Sequence, residues 1–385
     1  MEQGARECMD LTVITTYRCN SKCSMCYIWQ NPTRPDDEVS PATLEKLPGG
    51  FDNLNLTGGE PTLRKDLAEL VDLLYPKARV LEISSNGLHP ERLEPIIRKY
   101  PNIKVRFSLE GMELTNDRIR GEENGFKTKT AGLLRLKQAG GTDLGLGAVI
   151  QDDNIGELVE LYRLTQAMGV EFATSALHNA FQFHKSDNVP YDRLRVARAI
   201  EKLIVEMLRT NSVKNWFRAY LNLGLIEKVL GHDRLIPCTA AQDFVFIDPW
   251  SDVYACNVRP DLWMGNLAAQ SWDEIMTGER ARALRAQVAA CPQNCWMVTT
   301  ARTAMRNPRL TFLPKRKPLQ WVIESKLRVS LGLPLDFSRY IDYSRVQQDA
   351  VKPPRPSFLG IKGVRRNLRP KTGPHYAAFG EFFNR

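Results

Sequence analysis

The sequence has 385 residues, of which 43% are hydrophobic and 25% are charged, an ordinary balance for a soluble globular protein. This length allows two domains, or one large domain with an appendage. No apolar stretch of about 18 residues is present, so we expect no membrane span. The start, Met1–Glu7, lacks the shape of a signal peptide, so the eight cysteines should stay reduced in the cytoplasm. Reduced cysteines in this number favour metal binding over disulfides.

The net charge of +9 is distributed unevenly along the chain. Residues 301–385 hold 18 Lys and Arg but only 5 Asp and Glu, whereas the first 300 residues are mildly acidic. A basic tail on an acidic body favours an anionic partner for the tail.

The first 210 residues alternate between short apolar runs and helical patterns. The predicted strands cover 10–16, 53–57, 79–84, 103–109, 144–150 and 170–176. The predicted helices cover 40–47, 64–75, 90–100, 127–139, 154–168 and 190–209. This alternation predicts an α/β fold with a parallel sheet. Six units are too few for the eight-stranded barrel, so we predict a partial (β/α)6 barrel with its site at the carboxyl ends of the strands.

Three cysteines, Cys19, Cys23 and Cys26, follow the first predicted strand in a Cys-x3-Cys-x2-Cys arrangement. A cubane iron–sulfur cluster needs four ligands, so three thiolates leave one iron open. An open coordination position is typical of a metal site that carries out chemistry. The spacing therefore predicts a reactive cluster that binds a small molecule.

The pattern changes after about residue 235. Four cysteines follow within 58 residues: Cys238, Cys256, Cys291 and Cys295. Between them we predict a hairpin with a turn at 248–252, and then a helix at 271–289. From residue 311 onward Pro, Lys and Arg dominate, with one predicted helix at 319–331. The predicted domains are a core at 1–235, a cysteine-rich domain at 236–310 and a basic, Pro-rich tail at 311–385.

An ordered series of motifs follows the first three cysteines. The series comprises Thr57-Gly-Gly-Glu-Pro61, Ser84-Ser-Asn-Gly87, Ser108-Leu-Glu-Gly111, Arg118-Ile-Arg-Gly121 and Gly125-Phe126. With this series, over roughly residues 8–300, the chain resembles the radical S-adenosylmethionine (radical SAM) enzymes. The resemblance implies a [4Fe–4S] cluster on Cys19, Cys23 and Cys26 whose open iron binds SAM. It implies reductive cleavage of SAM to a 5′-deoxyadenosyl radical, which abstracts hydrogen from a substrate.

The resemblance also implies residues that contact SAM. Gly58 and Gly59 would let the backbone approach the ligand closely, and Glu60 would accept from the SAM ammonium group. We expect Ser108 and Arg120 to hold the SAM carboxylate, because a guanidinium suits a bidentate partner. The other expected cofactor contacts are Ser85 and Asn86 in the Ser84–Gly87 motif, and Met25 and Val149 near the adenine. Met25 departs from the aromatic residue that often precedes the third cysteine in this family.

The second cysteine group resembles the auxiliary-cluster region of the SPASM/twitch subfamily. Met264-Gly-Asn-Leu267 and Ser271-Trp-Asp-Glu-Ile275 lie between its second and third cysteines. A full SPASM region has about seven cysteines, so four imply the shorter, twitch-like form with one auxiliary [4Fe–4S] cluster. A structural zinc site with four cysteine ligands is the alternative. Cys8 remains outside both groups and is best interpreted as a buried thiol.

The sequence does not determine the catalytic residues, and the candidates are His178, His184 and Cys8. Both histidines follow the sixth predicted strand, on the side of the sheet where the site should lie. Trp216-Phe-Arg218-Ala-Tyr220 would add aromatic and cationic groups to a substrate cavity. Cys8 would be the hydrogen donor in an epimerisation, because it is the cysteine left outside the clusters.

Our first functional hypothesis is a radical SAM oxidoreductase or epimerase that acts on a sugar or polyol, free or linked to a lipid or nucleotide. The second is a peptide-modifying maturase that forms thioethers or other cross-links. The 18 residues before Cys19 are too few for a peptide-recognition domain, which weighs against the second hypothesis. A molybdenum-cofactor GTP cyclase is disfavoured, because its usual C-terminal Gly-Gly is missing. A non-catalytic iron–sulfur or membrane-associated protein is the remaining alternative.

The expected partners follow from these hypotheses. A flavodoxin or ferredoxin would supply the reducing electron, and the substrate would be a small or lipid-linked molecule. In the tail, an apolar helix face at 319–327 beside basic residues favours an anionic membrane surface. We expect no specific nucleic acid, since no recognised nucleic-acid module is present. The predicted location is the cytoplasm, with a peripheral position on the inner face of the membrane as an option.

Overall fold

A computed structural model describes residues 9–306 and 318–347. The strands are β1 (Asp10–Ile14), β2 (Phe51–Thr57), β3 (Ala78–Ser85), β4 (Lys104–Ser108), β5 (Asp143–Ile150), β6 (Glu171–Ala176), β7 (Phe244–Ile247), β8 (Asp252–Tyr254) and β9 (Trp263–Asn266). The helices are α1 (Pro41–Glu45), α2 (Leu67–Leu74), α3 (Pro90–Lys99), α4 (Glu113–Arg120), α5 (Gly125–Gln138), α6 (Leu158–Met168), α7 (Arg193–Arg209), α8 (Val213–Leu230), α9 (Trp272–Thr277), α10 (Glu279–Ala289), α11 (Val298–Arg306) and α12 (Pro318–Ser330).

The nine strands form one sheet in the order β6-β5-β4-β3-β2-β1-β7-β8-β9. Strands β1 to β7 pair with one another in parallel. Strands β7, β8 and β9 form an antiparallel meander. Leu11, Leu54 and Leu81 stand side by side on the first three strands and are almost fully buried. Apolar side chains of this kind hold helices against a parallel sheet. The predicted α/β fold with a parallel sheet is confirmed, and the four-cysteine region follows it along the chain.

The helices depart from the prediction in four places. Helices α4, α8 and α11 were not predicted, and the predicted helix at 271–289 is in fact two helices, α9 and α10. Ser271 caps α9 with its side chain, and Gly278 between the two helices has φ −59° and ψ 165°. That extended ψ value ends α9 and turns the chain into α10.

The predicted domain boundary at 235/236 falls between α8 and β7. Since β7 pairs with β1, the four-cysteine region continues the sheet of the core. The predicted domains stay a prediction, and parts of the predicted tail at 311–317 and 348–385 lie outside the described residues. Within residues 9–306 and 318–347, none of the helices combines the length and apolar character needed to cross a bilayer.

Candidate active site

A cavity opens at the carboxyl ends of the parallel strands, with an empty volume of about 800 Å³ that is partly open to solvent. It is lined by residues at or just after the ends of five strands: Thr57, Ser84, Ser85, Ser108, Val149 and Leu177. Cys19, Cys23 and Cys26 line the same cavity. The three cysteines therefore lie where the fold places its chemistry.

The cysteine loop is held in place by the last turn of α4. The backbone N–H of Lys22 donates to the carbonyl of Arg120 at 2.9 Å, and that of Ser24 donates to the carbonyl of Ile119 at 2.9 Å. The carbonyls at the end of a helix have no partner within the helix, so they are free to accept these bonds. Helix α4, which the sequence analysis missed, thus sets the position of the cysteines.

The glycine pair after β2 lies against the backbone that leads into the cysteine loop. The N–H of Gly59 donates to the carbonyl of Thr16 at 2.7 Å. A Cβ atom at Gly59 would stand 2.3 Å from the carbonyl oxygen of Arg18, and one at Gly58 would stand 2.5 Å from that of Thr16. Only glycine permits this approach. Both glycines also line the cavity.

Glu60 is fully buried and makes several hydrogen bonds within the protein. Its carboxylate accepts from the N–H of Thr62 at 2.9 Å, the hydroxyl of Ser85 at 2.9 Å and the N–H of Asn86 at 2.5 Å. Ser85 and Asn86 line the cavity, whereas Glu60 is not among the lining residues. In this structure Glu60 ties the ends of β2 and β3 together. Its predicted contact with the SAM ammonium group stays a prediction.

Arg120 lies between two buried carboxylates at the cavity. Its guanidinium donates to Glu110 at 3.0 Å and to Glu122 at 3.1 Å. Glu110 also accepts from the N–H of Val149 at 2.7 Å. Burial raises the pKa of Glu110, although the charge of Arg120 opposes that shift. Ser108 and Arg120 were predicted as SAM contacts and Glu110 was not, although Glu110 stands inside the Ser108–Gly111 motif and lines the cavity with them.

Cys23 is buried, Cys19 and Cys26 are partly buried, and the three thiols lie close enough to shift one another's pKa. Burial, and then the neighbouring Cys23, raises the pKa of Cys19 to about 12, and the same two causes raise the pKa of Cys26 to about 12. Iron binding needs thiolates, so a cluster would displace protons here. In the described part of the chain, no three His, Cys, Asp or Glu side chains converge on a single metal ion. A cubane cluster binds each thiolate to a different iron, and three separate sulfurs facing one cavity fit that geometry.

The other four cysteines line a second cavity: Cys238, Cys256, Cys291 and Cys295. Arg259 reaches this site and places Nη1 3.9 Å from Sγ of Cys291. Burial raises the pKa of Cys256 to about 12. Four grouped sulfurs provide a complete ligand set for one cubane cluster.

Helix α8 provides the support for this second site. The indole of Trp296, the residue after Cys295, packs against Gly224 and donates from Nε1 to the carbonyl of Leu221 at 2.8 Å. Asn294, the residue before Cys295, donates to the carbonyl of Lys228 at 3.2 Å. Contacts on both sides therefore fix Cys295 on α8.

The candidate substrate residues separate in the structure. His178 lines the first cavity, whereas His184 is not among the lining residues and stacks edge-on against Tyr17 with 5.9 Å between ring centroids. Arg218 pairs with Glu171, the first residue of β6. This pair lies at the amino end of the strand, whereas the cavity lies at the carboxyl ends. The stretch around Arg218 thus does not contribute to this cavity. Cys8 lies outside the described residues.

Sequence comparisons match the same two regions. The radical SAM superfamily model matches residues 13–165, and the SPASM model, an iron–sulfur cluster-binding domain, matches residues 238–297. The protein belongs to the radical SAM superfamily and carries a SPASM region. Its radical SAM domain binds a [4Fe–4S] cluster and SAM, and the SPASM region binds auxiliary iron–sulfur clusters. The chain is therefore a radical SAM enzyme.

Two relatives and one solved structure illustrate the similarity. Pre-heme d1 synthase of Dinoroseobacter shibae is 28% identical over 340 residues, which covers 78% of this chain and 82% of that protein. Mycofactocin maturase MftC of Mycolicibacterium smegmatis is 26% identical over 264 residues, which covers 66% of each protein. The structure of anSMEcpe with bound AdoMet and a Cp18Cys peptide superimposes with a TM-score of 0.53 at 13% identity, over 84% of this chain and 97% of that one.

Proposed function

We propose that Cys19, Cys23 and Cys26 hold the SAM-binding cluster and that the other four cysteines hold one auxiliary [4Fe–4S] cluster. When bound, the first cluster and SAM supply a 5′-deoxyadenosyl radical, which abstracts a hydrogen atom from the substrate. The cavity residues at the strand ends, with Arg120 and Ser108 among them, would position SAM. A flavodoxin or ferredoxin would supply the electron for cleavage.

The overall reaction that we propose is an oxidation. Removal of a hydrogen atom leaves a substrate radical. Loss of one further electron, accepted at the four-cysteine site, and of one proton gives a product oxidised by two electrons. The support for this outcome is the complete set of four sulfurs at the second site, which leaves no open iron for substrate there.

For the substrate we propose a peptide. The observation that carries this choice is the alignment with the maturase MftC, which runs through 66% of this chain. Neither relative named above is described as a sugar enzyme, so the sugar or polyol that we first expected has no support from them. The alignment with pre-heme d1 synthase covers more of the chain, at 78%, and makes a tetrapyrrole the second candidate.

Transfer of deuterium to 5′-deoxyadenosine distinguishes these substrates, because the abstracted hydrogen ends up in that product. An extract of the producing organism grown in heavy water would be separated into peptide, tetrapyrrole and polyol fractions. Each fraction would be incubated anaerobically with enzyme, reductant and unlabelled SAM. We expect singly deuterated 5′-deoxyadenosine from the peptide fraction. Deuterium arising solely from the polyol or tetrapyrrole fraction would refute the peptide proposal.

We also propose that α12 contacts an anionic membrane surface. One face of this helix is buried against the body, where Trp321 packs edge-on against Tyr220 with 5.7 Å between ring centroids. The opposite face exposes Leu319, Ile323 and Leu327, each by more than half of its surface. The sequence carries four basic and no acidic residues at 307–317, directly before this helix. An apolar face beside basic residues is the composition of interfacial helices.

Vesicle flotation tests the membrane contact with the full-length protein. The variant Leu319→Gln/Ile323→Gln/Leu327→Gln should bind anionic phosphatidylglycerol vesicles at least tenfold more weakly than wild type. Each of the three substitutions removes apolar area from the proposed interface. A matched control replaces three other exposed leucines with Gln: Leu114, Leu134 and Leu194. Equal binding by both triple variants would contradict the proposal, as would equal binding of wild type to neutral and anionic vesicles.

A further inference from the structure

The loop after β6 contributes a histidine whose protonation is set by the backbone. Nδ1 of His178 lies 3.1 Å from the carbonyl oxygen of Ala176. A ring nitrogen this close to a carbonyl must carry the proton, so Nε2 presents a lone pair. Burial, and then the charge of Lys228, lowers the pKa of His178 to about 4. The imidazole is therefore neutral at pH 7, and Nε2 can act only as a hydrogen-bond acceptor.

Two buried polar atoms on the wall of the first cavity lack a partner. Nε2 of His178 and Nε1 of Trp29 are both buried, and neither has a hydrogen-bond partner among the described residues. Both side chains line the cavity that also holds Cys19, Cys23 and Cys26. A buried polar group left unpaired costs about 1–3 kcal/mol, so such groups usually meet a ligand or water. One of these atoms accepts a hydrogen bond and the other donates one.

His178 is held rigidly against the cysteine loop. The side-chain amide of Asn188 donates to the carbonyl of His178 at 3.0 Å and to the carbonyl of Met25 at 2.8 Å. Phe183 packs against the imidazole with 5.3 Å between ring centroids. In addition, the N–H of Tyr27 donates to the carbonyl of Phe183 at 2.8 Å. These contacts thus join the loop after β6 to the loop of the three cysteines.

We propose that His178 and Trp29 form a polar subsite for a substrate group that both donates and accepts hydrogen bonds. A secondary amide of a peptide is such a group, with N–H for His178 and C=O for Trp29; a hydroxyl is the other source of the same chemistry. The subsite orients the substrate beside the cysteine cluster and leaves the cleavage of SAM to other residues. This inference rests on the proposed use of the cavity for hydrogen abstraction.

Three substitutions separate substrate contact from a structural role. His178→Gln places an amide oxygen near the position of Nε2 and keeps the acceptor. His178→Asn places an amide nitrogen near the position of Nδ1, so it keeps the bond to Ala176 and loses the acceptor. Trp29→Phe removes the donor and keeps an aromatic ring.

Each variant would be assayed for total and for deuterated 5′-deoxyadenosine, with the heavy-water peptide and polyol fractions as separate probes. We expect about a tenfold loss of deuterium transfer in His178→Asn and Trp29→Phe, the effect of one lost hydrogen bond. His178→Gln should retain most of the transfer, and the ratio of deuterated to total 5′-deoxyadenosine should fall in His178→Asn and Trp29→Phe.

The outcomes distinguish the subsite from the proposed function. Undiminished transfer in both His178→Asn and Trp29→Phe would overturn the subsite, as would an equal loss in His178→Gln and His178→Asn. Transfer by wild type from the polyol fraction alone would refute the peptide substrate. In that case the same ratio of variant to wild type still tests the subsite, with a hydroxyl as its ligand.

Discussion

Replacement of Gly224 by alanine should disrupt the second cysteine site from a distance. Gly224 lies in α8, and a Cβ atom there would stand 2.0 Å from Cε2 of Trp296 and 2.4 Å from its Nε1. Such distances lie far inside van der Waals contact. The indole would have to move and would carry Cys295, the preceding residue, with it.

The expected cost follows from overpacking in a closely packed region. An extra methyl group forced into a packed core typically costs about 1–3 kcal/mol. Movement of Trp296 would also break the hydrogen bond from its Nε1 to the carbonyl of Leu221, which is 2.8 Å long. A net hydrogen bond adds about 1 kcal/mol, so we expect a total loss of roughly 2–4 kcal/mol in unfolding free energy.

Denaturant unfolding and iron content together test this prediction. We expect Gly224→Ala to unfold at lower denaturant and to lose up to four of its iron atoms after reconstitution, because one cubane holds four. Gly156→Ala is the matched control, since nothing lies within 4 Å of a Cβ atom there. A Gly224→Ala protein with wild-type stability and iron content would refute the packing of α8 against the second site.

Three further predictions concern single side chains. Arg259→Gln removes the N–H that faces Sγ of Cys291 at 3.9 Å. Loss of this hydrogen bond, about 1 kcal/mol, should lower the midpoint potential of the auxiliary cluster by roughly 40 mV. Redox titration of a variant without the first three cysteines measures this potential alone. Burial and the charge of Lys228 lower the pKa of His178 to about 4, so the unfolded chain binds more protons between pH 6.5 and 4 and stability falls on acidification. On acidification to pH 5, His178→Gln should therefore lose about 2 kcal/mol less unfolding free energy than wild type. Parallel curves of unfolding free energy against pH for the two proteins would contradict this. Asn188→Ala should speed hydrogen exchange of residues 177–190 by about tenfold, whereas unchanged exchange would show that its two carbonyl contacts do not hold the loop.

The strands were the most predictable part of the fold. All six predicted strands of the core are present, with ends within about two residues of those expected. Buried parallel strands are short apolar runs between polar or glycine-rich turns, and that contrast is visible in sequence. The first three cysteines and the motifs at the strand ends were predictable for the same reason, since parallel strands bring their ends to one edge.

The features that depend on distant contacts could not be predicted. Helix α4 has few apolar side chains, so its periodicity was weak, yet its carbonyls hold the cysteine loop. His178 and His184 are six residues apart and looked equivalent. A left-handed backbone at His184, with φ 50°, directs that ring towards Tyr17, and only His178 reaches the cavity. The part played by Trp29 depends on the absence of a partner, which a sequence does not show.

Anaerobic cleavage of SAM, measured together with iron content, tests the central claim most directly. The protein would be reconstituted with iron and sulfide, reduced and given SAM, alongside a variant in which Cys19, Cys23 and Cys26 are alanine. We predict 5′-deoxyadenosine and about eight iron atoms per chain in wild type, and no cleavage with about four iron atoms in the variant. Cleavage by the variant, or a wild type that binds eight iron atoms and leaves SAM intact in the presence of each deuterated fraction, would contradict the account.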